Sequence, residues 1–244
     1  MRQECHEHPL WQDDFIRELQ HGKNLTRVFQ LATVWATNMI VGSYCFPRYV
    51  AALASRCETE AIRYGLLENA WDESGGYSHM RRSHFWLAVR LAELLGLKDQ
   101  HMRDIRPLPE AQRYTDEHYH ECTTGNFGTA LGMLCLIEEF TTPEFSLIFK
   151  AFLRSCEAGM DMKPEDFVLR GGAEYFTANI ADDDRHREEM PRLVALWLRE
   201  QKVDLHQEMQ VEKGLQPVLT GIRQSIDLRQ KFFQGIYAST LSFS

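Results

Sequence analysis

Apolar residues recur at intervals of three and four along most of this chain, and no stretch alternates apolar and polar with a period of two between turn signals. Phe15 with Leu19, the run Leu25-Val28-Leu31-Ala32-Trp35 and the run Trp86-Val89-Leu91-Leu94-Leu95 each lay one apolar stripe along a helix. The expected fold class is therefore all-α. Breakers punctuate the pattern at Phe46-Pro47, Ser74-Gly75-Gly76, Gly96, Pro107-Leu108-Pro109, Thr123-Thr124-Gly125, Thr142-Pro143, Gly171-Gly172 and Gly214. They divide it into about seven or eight helices, over roughly 11–21, 24–45, 47–70, 79–96, 109–121, 126–141, 143–158, 172–188, 190–212 and 217–235, some of these merging across a kink. Pro109-Glu110 and Pro143-Glu144 read as helix starts, with proline in the first turn and a carboxylate near the positive dipole end.

The chain has 244 residues, and no repeat or linker rich in Gly, Ser or Pro divides it. One helical domain over 1–244, with a short C-terminal tail, is the economical expectation. Twenty-seven basic against thirty-five acidic residues give a net charge of −8, which disfavours phosphate backbones and anionic lipid as partners. No apolar run approaches the roughly 20 residues needed to cross a bilayer. The polar start Met1-Arg2-Gln3-Glu4 lacks the order of a secretory signal, so a cytoplasmic location is expected. Six scattered cysteines without a CxxC pair suggest reduced, structural thiols rather than disulfides or a zinc site.

There is no Gly-rich phosphate loop, GxSxG elbow or HExxH. Ten histidines among the carboxylates remain as the source of chemistry. Asp183 and His186, three apart on a helix, share a face and could hold a cation between a hard oxygen and an imidazole. Chance alone supplies such pairs, and Glu117 with His120 is a second. In Glu68-Asn69-Ala70-Trp71-Asp72-Glu73, Trp71 and Leu67 are expected to face a core with Glu73 on the adjoining stripe; the alternative is a solvated helix end stopped by Gly75-Gly76. Glu138 and Glu139 close a markedly apolar helix, where a solvated terminus is the ordinary reading. His118-Tyr119-His120, flanked by Glu117 and Glu121, alternates at two, so its imidazoles point apart on a helix; we expect a solvated surface cluster.

In this order, the three segments resemble the heme-oxygenase-like diiron oxidase and oxygenase superfamily. Its members include the Chlamydia protein associating with death domains, alkene-forming fatty acid decarboxylases, amino-acid N-oxygenases and a nitrile-forming enzyme. The resemblance is carried by Phe46-Pro47-Arg48-Tyr49, by Leu67 through Gly76, by Ser83-His84 and Leu94-Leu95-Gly96-Leu97, and by Glu174-Tyr175-Phe176-Thr177 through Asp183-Asp184-Arg185-His186. It implies a single heme-oxygenase-like helical bundle. It also implies metal ligands at Glu73, His84, Glu139, Asp183 and His186, with His79 as rival to His84 and Glu138 as rival to Glu139. Two positions depart from the family pattern: Asn179 replaces a histidine four residues before the Asp, and the first-helix carboxylate falls near Asn38 or Met39.

The resemblance further implies Fe(II), two ions with the second weakly held, and O2 as cosubstrate. The expected activity is oxidation of a small amino-acid-derived or fatty-acid-derived substrate in specialised metabolism, by N-oxygenation, desaturation or C–C cleavage. Trp35, Tyr44, Trp71, Phe85, Phe140 and Phe176 are pocket candidates; Arg81, Arg82, Lys150, Arg154 and Arg185 are candidates to pair with a substrate carboxylate. A metal-free enzyme on the same scaffold, thiaminase-like or quinone-cofactor-synthase-like, and a non-catalytic helical interaction protein are the rival readings. A homodimer stays open.

Overall fold

The computed structural model describes residues 8–76, 82–97 and 106–241, apart from the side chains of residues 182–184. Among the described residues there is no strand. A 3-10 turn at Pro9–Gln12 leads into α1 (Asp14–His21), α2 (Leu25–Ser55), α3 (Glu60–Glu73), α4 (His84–Leu94), α5 (Pro109–Thr124), α6 (Phe127–Met160), the single turn α7 (Pro164–Phe167), a π-helical turn at Val168–Gly172, α8 (Glu174–Glu200) and α9 (Glu208–Ser239). The helix starts carry side-chain caps where the sequence offers them. Asn24, Ser83 and Asn126 accept from the backbone N–H of Arg27, Trp86 and Thr129, each satisfying a donor the helix cannot use. At the end of α3, Gly75 takes a φ of 89°, which a side chain would strain.

Four prolines fall inside helices rather than between them: Pro47 in α2, Pro143 in α6, Pro191 in α8 and Pro217 in α9. The breaks expected at Pro47 and Pro143 are absent because packing overrides the local cost of about 3 kcal/mol. Phe46, Tyr49 and Val50 around the first, and Phe140, Phe145 and Ile148 around the second, are all buried. Conversely, the chain breaks after Ser55 with neither glycine nor proline present. There Arg56 Nη1 donates to the carbonyls of Glu121 and Cys122 at 3.0 Å each, using a cation to satisfy the open C-terminus of α5. Gly214, expected as a breaker, lies within α9 beneath Leu198 and Val203.

The long α6 packs against α9, α8 and α2. Its crossing with α9 brings backbone onto backbone: a Cβ on Gly132 would stand 2.0 Å from Val218 O, and one on Gly221 1.9 Å from Thr129 O. Around α6 the core is aromatic. Trp35 meets Phe145 edge-on at 5.0 Å, Phe149 and Phe152 lie against Phe176, and Phe140 is stacked on Trp11 at 5.1 Å. Cys57, Cys122, Cys135 and Cys156 are buried thiols, none of them in a disulfide. Burial pushes Cys122 up to about 12.

Candidate metal centre

Helix α3 turns its polar side inward. Ile62, Leu66, Asn69, Ala70, Asp72 and Glu73 are buried, whereas Leu67 and Trp71 are about half exposed, at 48% and 59%. The expectation that Trp71 and Leu67 face the core is therefore reversed. The inward acids are accommodated because side chains of α4, α6 and α8 meet them. His84 stands at the first position of α4, fixed there by the Ser83 cap, and its Nδ1 lies 2.7 Å from Glu73 Oε2. From α8, His186 Nδ1 faces Glu138 Oε2 of α6 at 3.6 Å and Glu73 Oε1 at 3.9 Å. Asn69 Nδ2 donates to Glu138 Oε1 at 2.7 Å.

All of these groups are buried: His84 is 2% exposed, Glu138 2%, His186 3% and Glu73 6%. Burial works against a charged His186, but the hydrogen-bonding and charge of Glu138, with Glu73 behind it, outweigh that and hold the imidazole above its ordinary range. The far nitrogen, His186 Nε2, lies 3.2 Å from Asp72 Oδ2, and the Arg185 guanidinium closes on the same Asp72 oxygen. Arg185 thus serves a protein carboxylate, and also approaches Glu68 at 3.4 Å.

A cavity of about 60 Å3, room for several waters, adjoins this group. Glu73, Glu138 and Asn179 border it at the carboxylate end, with Tyr175 beside them; Tyr114 and Arg229 also border it. Tyr175 OH is hydrogen-bonded to Ser43 Oγ at 2.8 Å, and burial pushes its phenol well up. Arg229 pairs with the fully buried Glu144 at 3.2 Å and donates to Tyr114 OH at 2.8 Å, while Trp35 Nε1 donates to Glu144 Oε1 at 2.6 Å. Glu144, read from sequence as a helix-start acid beside Pro143, is a mid-helix counter-ion. Of the aromatic pocket candidates, Trp35, Phe140 and Phe176 are plain core. Tyr44 and Phe85 border an outer cleft that shares Ser43 and Glu73 with the cavity.

The remaining expected residues are distributed as follows. Glu139 is buried at 5%, but it is its neighbour Glu138 that faces His186 and borders the cavity. His79 and the side chain of Asp183 lie outside the described residues; the backbone of Asp183 continues α8 one turn before His186. Asn179 is buried with its Nδ2 donating to Tyr175 O at 2.7 Å. Asn38, at the first-helix position, donates to Val34 O and accepts from Leu108 N at 2.8 Å each, which makes it a structural clamp. His118 is fully buried, contrary to the expected surface cluster, with Nδ1 2.6 Å from Tyr114 O and Nε2 2.9 Å from Ser225 Oγ; the neighbouring Tyr119 is half exposed. Sequence reasoning did not single out Tyr175, Arg229 or Asp72. Asp72 had a signal in its place beside Glu73, and Tyr175 in the stretch Glu174-Tyr175-Phe176-Thr177; Arg229 had none.

Among the described residues, no three or more His, Cys, Asp or Glu donors already surround a common point; acids and imidazoles contact one another in pairs instead. The donor set nonetheless fits a hard ferrous ion. It consists of carboxylates and imidazoles, and the buried His186 Nδ1 faces two of those carboxylates at 3.6 and 3.9 Å.

The family model described as iron-containing redox enzyme matches residues 33–229. Two curated relatives are 4-aminobenzoate synthases: that of Chlamydia muridarum is 26% identical over 156 residues, covering 64% of this chain and 60% of the relative, and that of Chlamydia trachomatis is 25% identical, covering 64% and 62%. The chain thus spans about three fifths of the length of these relatives. Among solved structures, a heme-oxygenase-like domain from Shewanella denitrificans aligns with a TM-score of 0.70 over 96% of this chain and 88% of that one. A CADD-like protein from Nostoc punctiforme aligns with 0.71 over 98% and 94%, and a TenA family transcription regulator from a Silicibacter species with 0.58 over 96% and 94%. Each is 17% identical, a likeness of fold. With the model spanning most of the chain and the helices arranged as in these structures, the protein belongs to the iron-containing redox enzymes of heme-oxygenase-like fold.

Proposed function

We propose that this protein is a non-heme iron, O2-dependent oxidase or oxygenase acting on a small amino-acid-derived substrate. The observation that carries this reading is the buried meeting of Glu73, His84, Glu138 and His186, drawn from four helices, with Glu73 and Glu138 on the edge of one cavity. These four, with Asp183 of α8 and Glu139 as further donors, would hold the metal. Ferrous iron supplies the electrons that O2 activation needs. Asn179 in place of an imidazole favours one firm iron and a second weakly held.

The chain's own residues do the rest. Burial of the donors keeps bulk water from the reacting atoms, and the cavity size restricts the substrate to a small molecule. Tyr175 and Asn179 offer hydrogen bonds beside the carboxylates, while Arg229 and Tyr114 offer them elsewhere on the cavity wall. The relatives' name, 4-aminobenzoate synthase, supports a substrate or product with amine and carboxylate groups. N-oxygenation, desaturation and C–C cleavage all lie within such chemistry.

Purification without oxygen in the presence of ferrous iron, followed by a metal count, tests the proposal. Iron should bind, and Glu73→Ala or His186→Ala should remove iron and O2 consumption together. A folded wild-type chain that takes up no iron would overturn it. The metal-free reading, favoured by Asn179 and by the satisfied Asn38, instead expects turnover that survives both substitutions and chelation.

A further inference from the structure

Asp72 is buried at 5% in the row of acids on α3, yet it does not border the cavity and it stands behind His186 rather than before it. Its Oδ2 is the carboxylate oxygen nearest His186 Nε2, at 3.2 Å. The opposite ring nitrogen, Nδ1, points at Glu138 and Glu73. A neutral imidazole carries one proton. If it sits on Nε2 and is donated to Asp72, the lone pair at Nδ1 is presented to the carboxylates and to any cation between them. If it sits on Nδ1, the lone pair lies on Nε2, turned away from Glu138 and Glu73, and the ring has nothing to offer a cation held between them.

Two neighbours work against that arrangement: Glu138 and Glu73 could accept from Nδ1, but at 3.6 and 3.9 Å they stand farther off than Asp72 does from Nε2, and Arg185 Nη2, 3.3 Å from the same Nε2, can only donate. Were Arg185 to donate there, the proton would be driven to Nδ1. Asp72 decides between these outcomes because it accepts from both: the Arg185 guanidinium closes on Oδ2, which is also the atom His186 approaches. The cation is thereby spent on the carboxylate, and the imidazole keeps its proton on the outer nitrogen. Arg185 is anchored in turn toward Glu68, so the arrangement runs from the protein surface inward.

We propose that Asp72 is a positioning residue that fixes His186 as the Nε2–H tautomer and makes Nδ1 the metal-facing atom, with Arg185 as the outer clamp holding Asp72. This rests on the iron reading for its consequence, but the tautomer belongs to the metal-free chain. Outer carboxylates of this kind commonly matter tenfold to a hundredfold in metal affinity.

Two measurements test it. In metal-free protein, at a pH alkaline enough to leave the ring neutral, nitrogen-15 NMR of the histidine rings, with His186 assigned by its loss in His186→Gln, should show the single ring proton on Nε2 in the wild type. In Asp72→Asn, the signal should move towards the Nδ1–H form. Ferrous iron titration should show Asp72→Asn weakened by about ten- to a hundredfold, and Asp72→Glu partly restored. Because Asp72→Asn also weakens the pairing with Arg185, Arg185→Gln serves as the milder second variant: this side chain is about half exposed, and with only the outer clamp on Asp72 loosened a smaller shift in the same direction is expected. A wild-type His186 protonated on Nδ1, or a ring signal unchanged in Asp72→Asn, overturns the proposal. If the wild type binds no iron, the underlying reading fails, and the ring signal alone decides the role of Asp72.

Discussion

His118 shows how a single buried side chain gives this protein an acid limit. Desolvation drops its folded pKa from 6.5 to about 3, although the Tyr114 carbonyl pulls the other way. The unfolded chain therefore binds one more proton than the folded chain between those two values. Stability from this residue is complete above about pH 6.5 and is lost as pH falls toward 3, at up to about 1.4 kcal/mol per pH unit. Denaturant midpoints measured between about pH 4 and pH 7 should fall more steeply for the wild type than for His118→Gln. Parallel curves would show that the imidazole is already hydrated in the fold. From sequence, His118 and His120 looked alike, since alternation at two places them on different faces without saying which face is inside; only the packing of Tyr49, Tyr114 and Ser225 decides that. The same limit applies at Glu138 and Glu139, adjacent acids on one helix, of which the fold turns Glu138 toward His186.

At the level of elements, the crossing of α6 and α9 depends on two residues having no side chain. Gly221→Ala would drive a methyl group into the Thr129 carbonyl, and Gly132→Ala would do the same at Val218. Neither neighbour is a flexible tip that can move aside. Each substitution should lower stability by about 1–3 kcal/mol or more, read as a fall in melting temperature with helix content retained. Gly96→Ala, which meets nothing within 4 Å but has a φ of 93°, should cost less and through strain alone. The helical class was legible because periodicity survives in nearly every segment. Helix boundaries were less so: propensity counts Pro47 and Pro143 as stops, while burial on both sides keeps the chain helical through them. Helix α3 was misread for the opposite reason. Its inward face is polar, so a rule that turns Trp71 and Leu67 inward fails where carboxylates are held by partners on other helices.

Across the whole molecule, residues distant in sequence meet: Phe15 packs on Phe233 at 4.9 Å, and Glu73 shares His186 with Glu138. The buried core runs from Leu10 to Ile236, so we expect one cooperative unfolding transition, with helical circular dichroism and tryptophan fluorescence losing signal together. Two separated transitions would point to independent subregions. The order of the site segments along the chain was readable; their convergence was not, because no spacing rule relates positions on four separate helices. The dependence of His186 on Asp72 was hidden for the same reason, although the two motifs containing them were already in view.

The four enclosed thiols carry a consequence for the life of such a catalyst. Cys122, raised to about 12 by its surroundings, stays a neutral thiol rather than a reactive thiolate at ordinary pH, and Cys57, Cys135 and Cys156 are likewise buried. If the chain activates O2 as proposed, these four thiols meet an oxidant only when the bundle opens, so their oxidation would count unfolding events rather than turnovers.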